Sequence, residues 1–228
     1  MLEKLKERVY LANIDLVEKG LVIQTWGNAS GRDPDSGFIV IKPSGVAYDR
    51  MTPDDMVVLS ADGKKIEGSH KPSTDTPTHI ELYRAFEGMG GIVHTHSTYA
   101  TSWAQAGKEI PPFGTTHADH YHGSVPCTRK MSGKEIIKDY EANTGKVIIE
   151  KLNESGPAEV SSILVHSHGP FSWGNDPETA VCNAVALEEI ARMAFYTVLL
   201  GRTEPIDGTL LDKHYFRKHG KGAYYGQK

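Results

Sequence analysis

The chain opens with apolar residues spaced three or four positions apart, and shorter apolar runs between turn residues follow. Leu5, Val9, Ala12 and Leu16 form one face of a helix, and Gly20 supplies its stop. Strands are then predicted at residues 21–25, 38–41, 56–60 and 65–67, with an Asp62-Gly63 turn between the last two. The first third of the chain is therefore expected to form a helix and several short strands.

The rest of the chain alternates helix signals with buried strands. Thr76-Pro77 predicts a helix that runs to about Phe86, with the threonine as its cap and the proline in its first turn. Further helices are predicted at about 99–106, from Gly133 onward as one long helix behind a Ser132/Glu135 capping box, and from Asp176 to Leu200. Helices interleaved with strands favour an α/β sandwich, and the hairpin signals mean that its sheet is not purely parallel.

Two His-x-His pairs come at the ends of buried runs. His94 and His96 follow Gly-Gly-Ile-Val, and side chains two apart on a strand point to the same face. A second pair, His166 and His168, ends the run Ser-Ser-Ile-Leu-Val, and Asp75 lies upstream among small hydroxyl residues. The pattern predicts three histidines and a carboxylate around a divalent metal that acts as a Lewis acid on an oxygenated substrate. Satisfied strand-end histidines are the alternative.

Three segments that carry small hydrogen-bond donors are suited to holding an anion. They are Thr25-Trp26-Gly27-Asn28, Lys42-Pro43-Ser44-Gly45 and Lys71-Pro72-Ser73-Thr74-Asp75. Glycine lets the backbone approach a phosphate closely, hydroxyl groups add donors, and a lysine balances the charge. Ordinary turns are the alternative for each segment, but their recurrence before the histidine strand favours a joint phosphate site.

Composition is that of an ordinary globular domain, expected to span residues 1–228. The chain is 39% hydrophobic and 24% charged, and its net charge of −4 gives no reason to expect nucleic acid or a membrane surface as a partner. The first residues lack the apolar core of a signal peptide, and no run approaches a membrane span. Cys127 and Cys182 are too few for a disulfide framework, so a cytoplasmic location is expected.

A family resemblance extends over nearly the whole chain. The motifs that carry it are Thr-Trp-Gly-Asn, Ile-Lys-Pro-Ser-Gly-Val, Pro-Ser-Thr-Asp-Thr-Pro-Thr-His, Gly-Ile-Val-His-Thr-His-Ser, Gly-Thr-Thr-His-Ala-Asp, Val-His-Ser-His-Gly-Pro-Phe and the terminal Arg-Lys-His-Gly…Ala-Tyr-Tyr-Gly-Gln. In this order they closely resemble the L-ribulose-5-phosphate 4-epimerases of the class II aldolase/adducin family. The resemblance implies a three-layer α/β/α sandwich with a central mixed, largely antiparallel sheet. It also implies a fourfold-symmetric homotetramer with active sites between subunits.

The resemblance also implies a set of site residues. Zn²⁺, or another divalent metal such as Mn²⁺, is expected on Asp75, His94, His96 and His168. The substrate phosphate is expected on Gly27, Asn28, Lys42, Ser44, Gly45, Ser73 and Thr74. Asp119 and Tyr225 of a neighbouring subunit are expected to carry protons, and Thr115, Glu141, His214 and Arg217 are candidates for completing the interface site. For His214 and Arg217, which lie in the segment from Lys213 to His219, a solvated basic helix face is the alternative.

The chain departs from the family pattern at two places. Thr74 stands where a second serine is usual, which keeps the hydroxyl group. His120-Tyr121-His122 stands where Tyr-Phe-Tyr is usual, and with His117 it makes a second histidine cluster around Asp119. This cluster is a rival metal site, although the sequence predicts no strand to fix its geometry.

The implied reaction interconverts L-ribulose 5-phosphate and D-xylulose 5-phosphate. Because the C4 hydrogen is not adjacent to the ketone, proton removal there is difficult. Breaking C3–C4 instead gives the enediolate of dihydroxyacetone and glycolaldehyde phosphate, and the aldehyde re-adds through its other face. The metal would stabilise the developing charge, and a proton donor or acceptor is needed on each side of the aldehyde.

Two alternatives to an epimerase stay open from the sequence. One is a sister enzyme on the same scaffold, namely a sugar-phosphate aldolase or dehydratase; family aldolases carry glutamate where this chain has Asp75, which favours the epimerase. The other is an interaction module like the adducin head, which lacks the metal ligands. Arabinose use and ascorbate-type acid breakdown both need this epimerisation, and the sequence does not distinguish them.

Overall fold

The computed structural model describes residues 2–155 and 160–225. Its helices are α1 (Glu3–Glu18), α2 (Thr76–Ala85), α3 (Thr98–Ala106), α4 (Thr115–Ala118), α5 (Gly133–Ile137), α6 (Tyr140–Ser155), α7 (Pro177–Leu199) and α8 (Gly208–Lys218). Its strands are β1 (Asn28–Arg32), β2 (Ile39–Ile41), β3 (Val57–Leu59), β4 (Lys65–Glu67), β5 (Gly91–His94), β6 (Ser162–Leu164) and β7 (Pro170–Gly174). Gly226 and Gln227 of the terminal motif lie outside the described residues.

The seven strands form one sheet in the order β4-β3-β2-β1-β5-β7-β6. Every pairing between neighbouring strands of this sheet is antiparallel. The prediction of a largely antiparallel sheet is therefore confirmed. Among the described residues, the parallel element is limited to an isolated bridge between Cys127 and Leu164.

Helices cover both faces of the sheet, because side chains alternate between the faces along each strand. One face carries Ala29, Val40 and Val93, which pack with the buried stripe of α1 and with α7. The other face carries Ile39, Ile41, Val57, Ile92 and Ile163, which pack with α2 and α6. These are the three layers expected from the sequence. A further apolar cluster joins α3 to the middle of α7.

The strand predicted at residues 21–25 is wrong, and β1 lies at Asn28–Arg32 instead. Leu21 donates its N–H to the Leu16 carbonyl (2.9 Å) as part of the α1 stop, and Gln24 has a left-handed φ of 56°. β1 itself is built of small and polar residues. Its Gly31 is required by packing, since a Cβ there would lie 2.8 Å from Pro177 Cγ of α7 and 2.9 Å from Leu5 Cδ1 of α1.

Two further predictions fail at turns. The helix predicted from Gly133 has its Ser132/Glu135 capping box, but it ends at Ile137, and Asp139 (φ 56°) separates it from α6. The strand expected to end at His168 stops at Leu164, and Ser167 (φ 63°) places the two histidines in the β6–β7 turn. At α2 the cap is Asp75 rather than Thr76.

None of the described helices is both long and apolar enough to cross a membrane.

Candidate metal and phosphate site

Three imidazoles converge where β5 ends beside the β6–β7 turn. One ring nitrogen from each of His94, His96 and His168 lies within 4.8 Å of the other two, and the Nε2 atoms of His94 and His96 are 3.1 Å apart. Among the described residues, this is the one such cluster of histidine, cysteine and carboxylate groups. The three predicted histidines are therefore brought together. His166 is not among them, and its Nδ1 lies 2.7 Å from Ser167 Oγ.

Hydrogen bonds behind two of the rings fix which nitrogen is available. His94 Nδ1 donates to the Pro170 carbonyl (3.0 Å), which leaves the Nε2 lone pair for the cluster. His168 Nδ1 lies 3.3 Å from the Tyr140 hydroxyl. Burial, together with the neighbouring His94 and His96, lowers the pKa of His168 to about 3. A neutral imidazole with a free lone pair is the form that binds a metal, so this donor set fits a divalent transition ion such as zinc.

Asp75 lies at the N-cap of α2, outside the set of three nitrogens. Burial alone would raise the pKa of its carboxyl group, but His94, His79 and the Asn28 amide together hold that pKa below its usual value. Asn28 Nδ2 donates to Asp75 Oδ2 at 2.7 Å. The site therefore contains the predicted three imidazoles and an ionised carboxylate beside them. The role of Asp75 as the fourth ligand stays a prediction.

The predicted phosphate segments meet beside this cluster. The loop after β2 runs antiparallel to the loop before α2, because Ser44 N–H donates to the Lys71 carbonyl and Ser73 N–H to the Lys42 carbonyl, both at 2.9 Å. Gly27 has a φ of 80°, and a Cβ there would lie 2.8 Å from the His94 carbonyl. Asn28 pairs with His94 across β1 and β5. Gly45 and the exposed Thr74 lie on the same two loops.

Lys42 is the charged group of this pocket. Its side chain is buried and lies over the Tyr48 ring at 4.6 Å; within the described residues its one hydrogen bond is a long one (3.4 Å) to the Pro43 carbonyl. Burial lowers the pKa of its ammonium group to about 8. No carboxylate among the described residues forms an ion pair with it, and a buried cation without such a partner is costly unless an anion joins it. This is the electrostatic setting expected of a phosphate site.

The candidate proton-transfer residues form a separate cluster on α4 and α8. Asp119 accepts hydrogen bonds from His214 Nδ1 (3.0 Å) and Arg217 Nη2 (2.9 Å) and pairs with Lys218 (3.2 Å). Burial would raise its pKa, but these three partners lower it to about 2. Tyr225 is exposed and stacks over Arg217 at 4.8 Å. None of the hydrogen bonds that Asp119 makes within the described residues reaches the three histidines.

The other two interface candidates lie in different places. Thr115 begins α4, and its carbonyl accepts the Asp119 N–H at 2.9 Å. Glu141 lies in the first turn of α6, where its carbonyl accepts the Thr78 hydroxyl at 2.6 Å. The residues that lie together around Asp119 are thus Thr115, His214, Arg217 and Tyr225. Glu141 lies next to α2 instead.

The second histidine cluster does not converge. His117 Nε2 donates to the Gly123 carbonyl at 2.6 Å, and His122 Nε2 pairs with Asp212 at 2.7 Å. Burial lowers the pKa of His117 to about 4. These rings are held by separate partners in turn geometry, and in the part of the chain that the structure describes they form no ligand cluster.

Two side chains at the site were missed from the sequence. Tyr140 holds His168, and nothing in the local pattern around it indicates that contact. His79 is fully buried, and its Nδ1 lies 2.7 Å from Ser30 Oγ. It follows Asp75 by one helical turn, so the i,i+4 rule would have placed both on one face of α2.

Comparison with known proteins identifies the family of the chain. A family model described as the class II aldolase and adducin N-terminal domain matches residues 7–195. The chain is 55% identical over 228 residues, covering all of both chains, to proteins named L-ribulose-5-phosphate 4-epimerase UlaF from Salmonella paratyphi B and Salmonella typhi.

Solved structures support the fold. An L-fuculose 1-phosphate aldolase superposes with a TM-score of 0.79 at 22% identity, over 92% of this chain and 94% of the other. The enzyme of that name from Glaciozyma antarctica PI12 gives 0.78 at 20% identity, over 97% of this chain and 84% of the other. By its sequence and by its three-layer fold, the chain belongs to the class II aldolase/adducin family.

Proposed function

We propose that this protein interconverts L-ribulose 5-phosphate and D-xylulose 5-phosphate. The observation that carries the proposal is the convergence of His94, His96 and His168 beside the buried Lys42, in a chain 55% identical over its full length to proteins named for this reaction. A three-imidazole cluster next to an anion pocket suits a phosphorylated, oxygen-rich substrate. The short Asp75 side chain favours epimerisation over the family's aldolase chemistry.

The three histidines, with Asp75 as the fourth ligand, would hold Zn²⁺, and Mn²⁺ would be accepted by the same donors. The ion would supply Lewis-acid stabilisation of negative charge on substrate oxygens when C3–C4 breaks. The chain's own contribution here is orientation. The Pro170 carbonyl fixes the ring of His94 and the Tyr140 hydroxyl supports that of His168, so both imidazoles are set before any ion arrives.

The phosphate end would be anchored by Lys42, the Ser44 and Ser73 hydroxyl groups, Thr74, and the backbone at Gly27 and Gly45. Anchoring by phosphate keeps the aldehyde fragment bound while its carbonyl rotates to present the other face. Without such an anchor the fragment would diffuse away, and the enzyme would be an aldolase. The anchor therefore makes cleavage and re-addition one reaction.

Asp119 and Tyr225 would handle protons on the two sides of the aldehyde. With its pKa lowered to about 2, Asp119 is ionised at neutral pH, and this ionised form is the one that would accept a proton. The Tyr225 hydroxyl is a donor, and the Arg217 and Lys218 cations lie over its ring. Within the described residues, none of the hydrogen bonds of Asp119 reaches the three histidines, so both groups would act on the metal site of a neighbouring subunit.

We also propose a homotetramer. A site shared between subunits requires an oligomer, and a closed ring of subunits would complete every half-site. The end of α7 supports assembly, since Met193, Phe195, Tyr196, Leu199 and Leu200 are all exposed there. A row of exposed large apolar side chains of this kind is typical of an interface.

The two cysteines are free thiols, which supports a cytoplasmic location.

The decisive experiment is incubation with L-ribulose 5-phosphate and a coupled assay for D-xylulose 5-phosphate. Run in heavy water, the reaction should leave C4 without deuterium, because cleavage of C3–C4 never detaches the C4 hydrogen. Deuterium at C4 would contradict the carbon–carbon mechanism. Accumulation of free dihydroxyacetone and glycolaldehyde phosphate, without the epimer, would show an aldolase instead.

A further inference from the structure

His79 is a fully buried imidazole one aromatic ring away from the histidine cluster. It lies on α2, and its ring meets the edge of the Phe171 ring at 6.1 Å between centroids. The Phe171 ring in turn stacks on the ring of His94 at 4.3 Å. The reaction proposed above gives His79 no part, so the presence of a polar ring at this depth needs a reason of its own.

One nitrogen of the His79 ring has no partner. Nδ1 lies 2.7 Å from Ser30 Oγ, whereas Nε2 is buried and meets no hydrogen-bond partner among the described residues. A buried polar atom without a partner is costly, because it has given up its hydrogen bonds to water. Such atoms are rare in folded proteins, and a role at a neighbouring site is one of the reasons for which they persist.

The hydrogen bonds on the other side of the ring decide whether Nε2 carries a proton. Ser30 Oγ lies between His79 Nδ1 and the Tyr83 hydroxyl, which is 2.8 Å from it. When Tyr83 donates to Ser30 and Ser30 donates to Nδ1, the proton of a neutral ring is on Nε2. The opposite direction would leave a bare lone pair on Nε2 near the ionised Asp75 carboxylate, which would repel it. The network therefore assigns the proton to Nε2.

Asp75 offers the acceptor that this N–H lacks. The two residues are four apart on α2, so their side chains share one face of the helix. Burial lowers the pKa of His79 to about 3, and Asp75 acts against this shift, so the ring is neutral and the two side chains interact. Asp75 is the N-cap of α2, yet its carboxylate accepts no hydrogen bond from the helix backbone. Within the described residues its Oδ2 accepts the Asn28 amide, and its Oδ1 accepts no hydrogen bond.

We propose that His79 is a positioning residue whose Nε2–H holds the Asp75 carboxylate in the orientation that binds the metal ion. This rests on the proposed function, in which Asp75 is the fourth ligand. A hydrogen bond from behind limits the rotamers of a carboxylate and stabilises its charged form, and losing such support typically weakens metal binding about 10- to 100-fold. The Nε2–Asp75 hydrogen bond is not among those of the described residues, so its formation is a consequence of metal binding that can be measured.

Two variants that differ by one methylene group test the role of Nε2. The amide N–H of His79→Gln reaches the position of Nε2, whereas that of His79→Asn reaches only the position of Nδ1. The affinity for Mn²⁺ is measured at pH 7.5 from the electron paramagnetic resonance signal of the free ion. His79→Asn should weaken Mn²⁺ binding about 10- to 100-fold, and His79→Gln should restore most of the affinity.

Tyr83→Phe is the matched control. It removes a hydroxyl group from the same chain of hydrogen bonds but leaves the ring volume and the His79 Nε2–H in place. Its affinity for Mn²⁺ should therefore equal that of the wild type, even where its melting temperature falls. The control separates a general loss of stability in α2 from the loss of the donor.

Nuclear magnetic resonance of the wild-type protein labelled with ¹⁵N-histidine gives a second test, which stays decisive where His79→Asn fails to fold. The His79 signals are assigned by their contacts with the ring protons of Phe171. Nε2 should carry a proton before any metal is added. Adding Zn²⁺ should shift that proton downfield, because a hydrogen bond to a carboxylate deshields it.

Several results would overturn the proposal. One is a His79→Asn protein with wild-type affinity for Mn²⁺, and another is a His79→Gln protein that binds Mn²⁺ as weakly as His79→Asn. A bare His79 Nε2, or an Nε2 proton that Zn²⁺ leaves unshifted while the His94 signals move, would also overturn it. A wild-type protein that binds neither ion would overturn the proposed function as well, whereas one that binds them and fails to epimerise would overturn the proposed function alone.

Discussion

Replacing Lys42 with methionine should stabilise the ligand-free protein while weakening its phosphate binding. Burial lowers the pKa of this lysine from 10.5 to about 8. At about 1.4 kcal/mol per unit, keeping it protonated at pH 7 costs the folded state roughly 3 kcal/mol. Its position over the Tyr48 ring offsets about 1 kcal/mol of that cost. Methionine matches the length of the lysine stem and carries no charge, so Lys42→Met should raise stability by about 2 kcal/mol.

The sign of the pH dependence follows from linkage. Between pH 8 and 10.5 the unfolded chain holds a proton on this lysine that the folded chain has lost, so wild-type stability should rise with pH in that window. The advantage of Lys42→Met is therefore full at pH 7 and should shrink at pH 9. Inorganic phosphate restores the charge balance, so it should raise the melting temperature of the wild type and have little effect on the variant.

Thermal unfolding measured with and without phosphate at pH 7 and pH 9 tests all three statements. For a chain of this size about 2 kcal/mol corresponds to roughly 4–8 °C. Lys64→Met is the matched control, because that side chain is 80% exposed and its removal should change stability by no more than about 0.5 kcal/mol. A Lys42→Met protein that melts below the wild type at pH 7 without phosphate, or that keeps the wild-type response to phosphate, would refute the reasoning.

Three further predictions concern the metal and the subunits. His94→Asn should lower bound metal and remove most activity, measured by metal analysis and the coupled assay, because one of few ligands is lost; full activity in a metal-free preparation would contradict it. His120→Phe and His122→Tyr should keep stoichiometric metal, and its loss would place the ion at the second histidine cluster. Inactive His96→Asn and Tyr225→Phe subunits, unfolded and reassembled together, should recover part of the activity, and verified mixed tetramers without activity would place the whole site in one chain.

The parts of the fold that follow from local pattern were predictable. The α1 stripe, the Ser132/Glu135 capping box and the β3–β4 hairpin are set by side-chain spacing and turn chemistry over a few residues, and all three are present. β1 was not predictable in this way. Its Asn-Ala-Ser-Gly-Arg sequence has no apolar alternation, and it is a strand because β2 and β5 flank it and two helices require Gly31 to be small.

The site shows the same division. The pair His94 and His96 was predictable because it follows a buried apolar run, although β5 ends at His94 and His96 lies just beyond the strand. The grouping of His166 with His168 was misleading, because the left-handed φ of Ser167 turns the two side chains apart. The contacts of Tyr140 with His168 and of Asn28 with Asp75 join segments far apart in sequence, and only the assembled fold reveals them.

The origin of the three imidazoles in two distant segments has a consequence for folding kinetics. His94 ends β5 and His96 follows just after it, whereas His168 lies in the β6–β7 turn, and α3 to α6 stand between them in the sequence. Contacts of such high sequence separation form late and slowly. The three histidines are therefore brought together only once β7 has paired with β5. The rate of metal binding during refolding would report the rate at which these two strands pair.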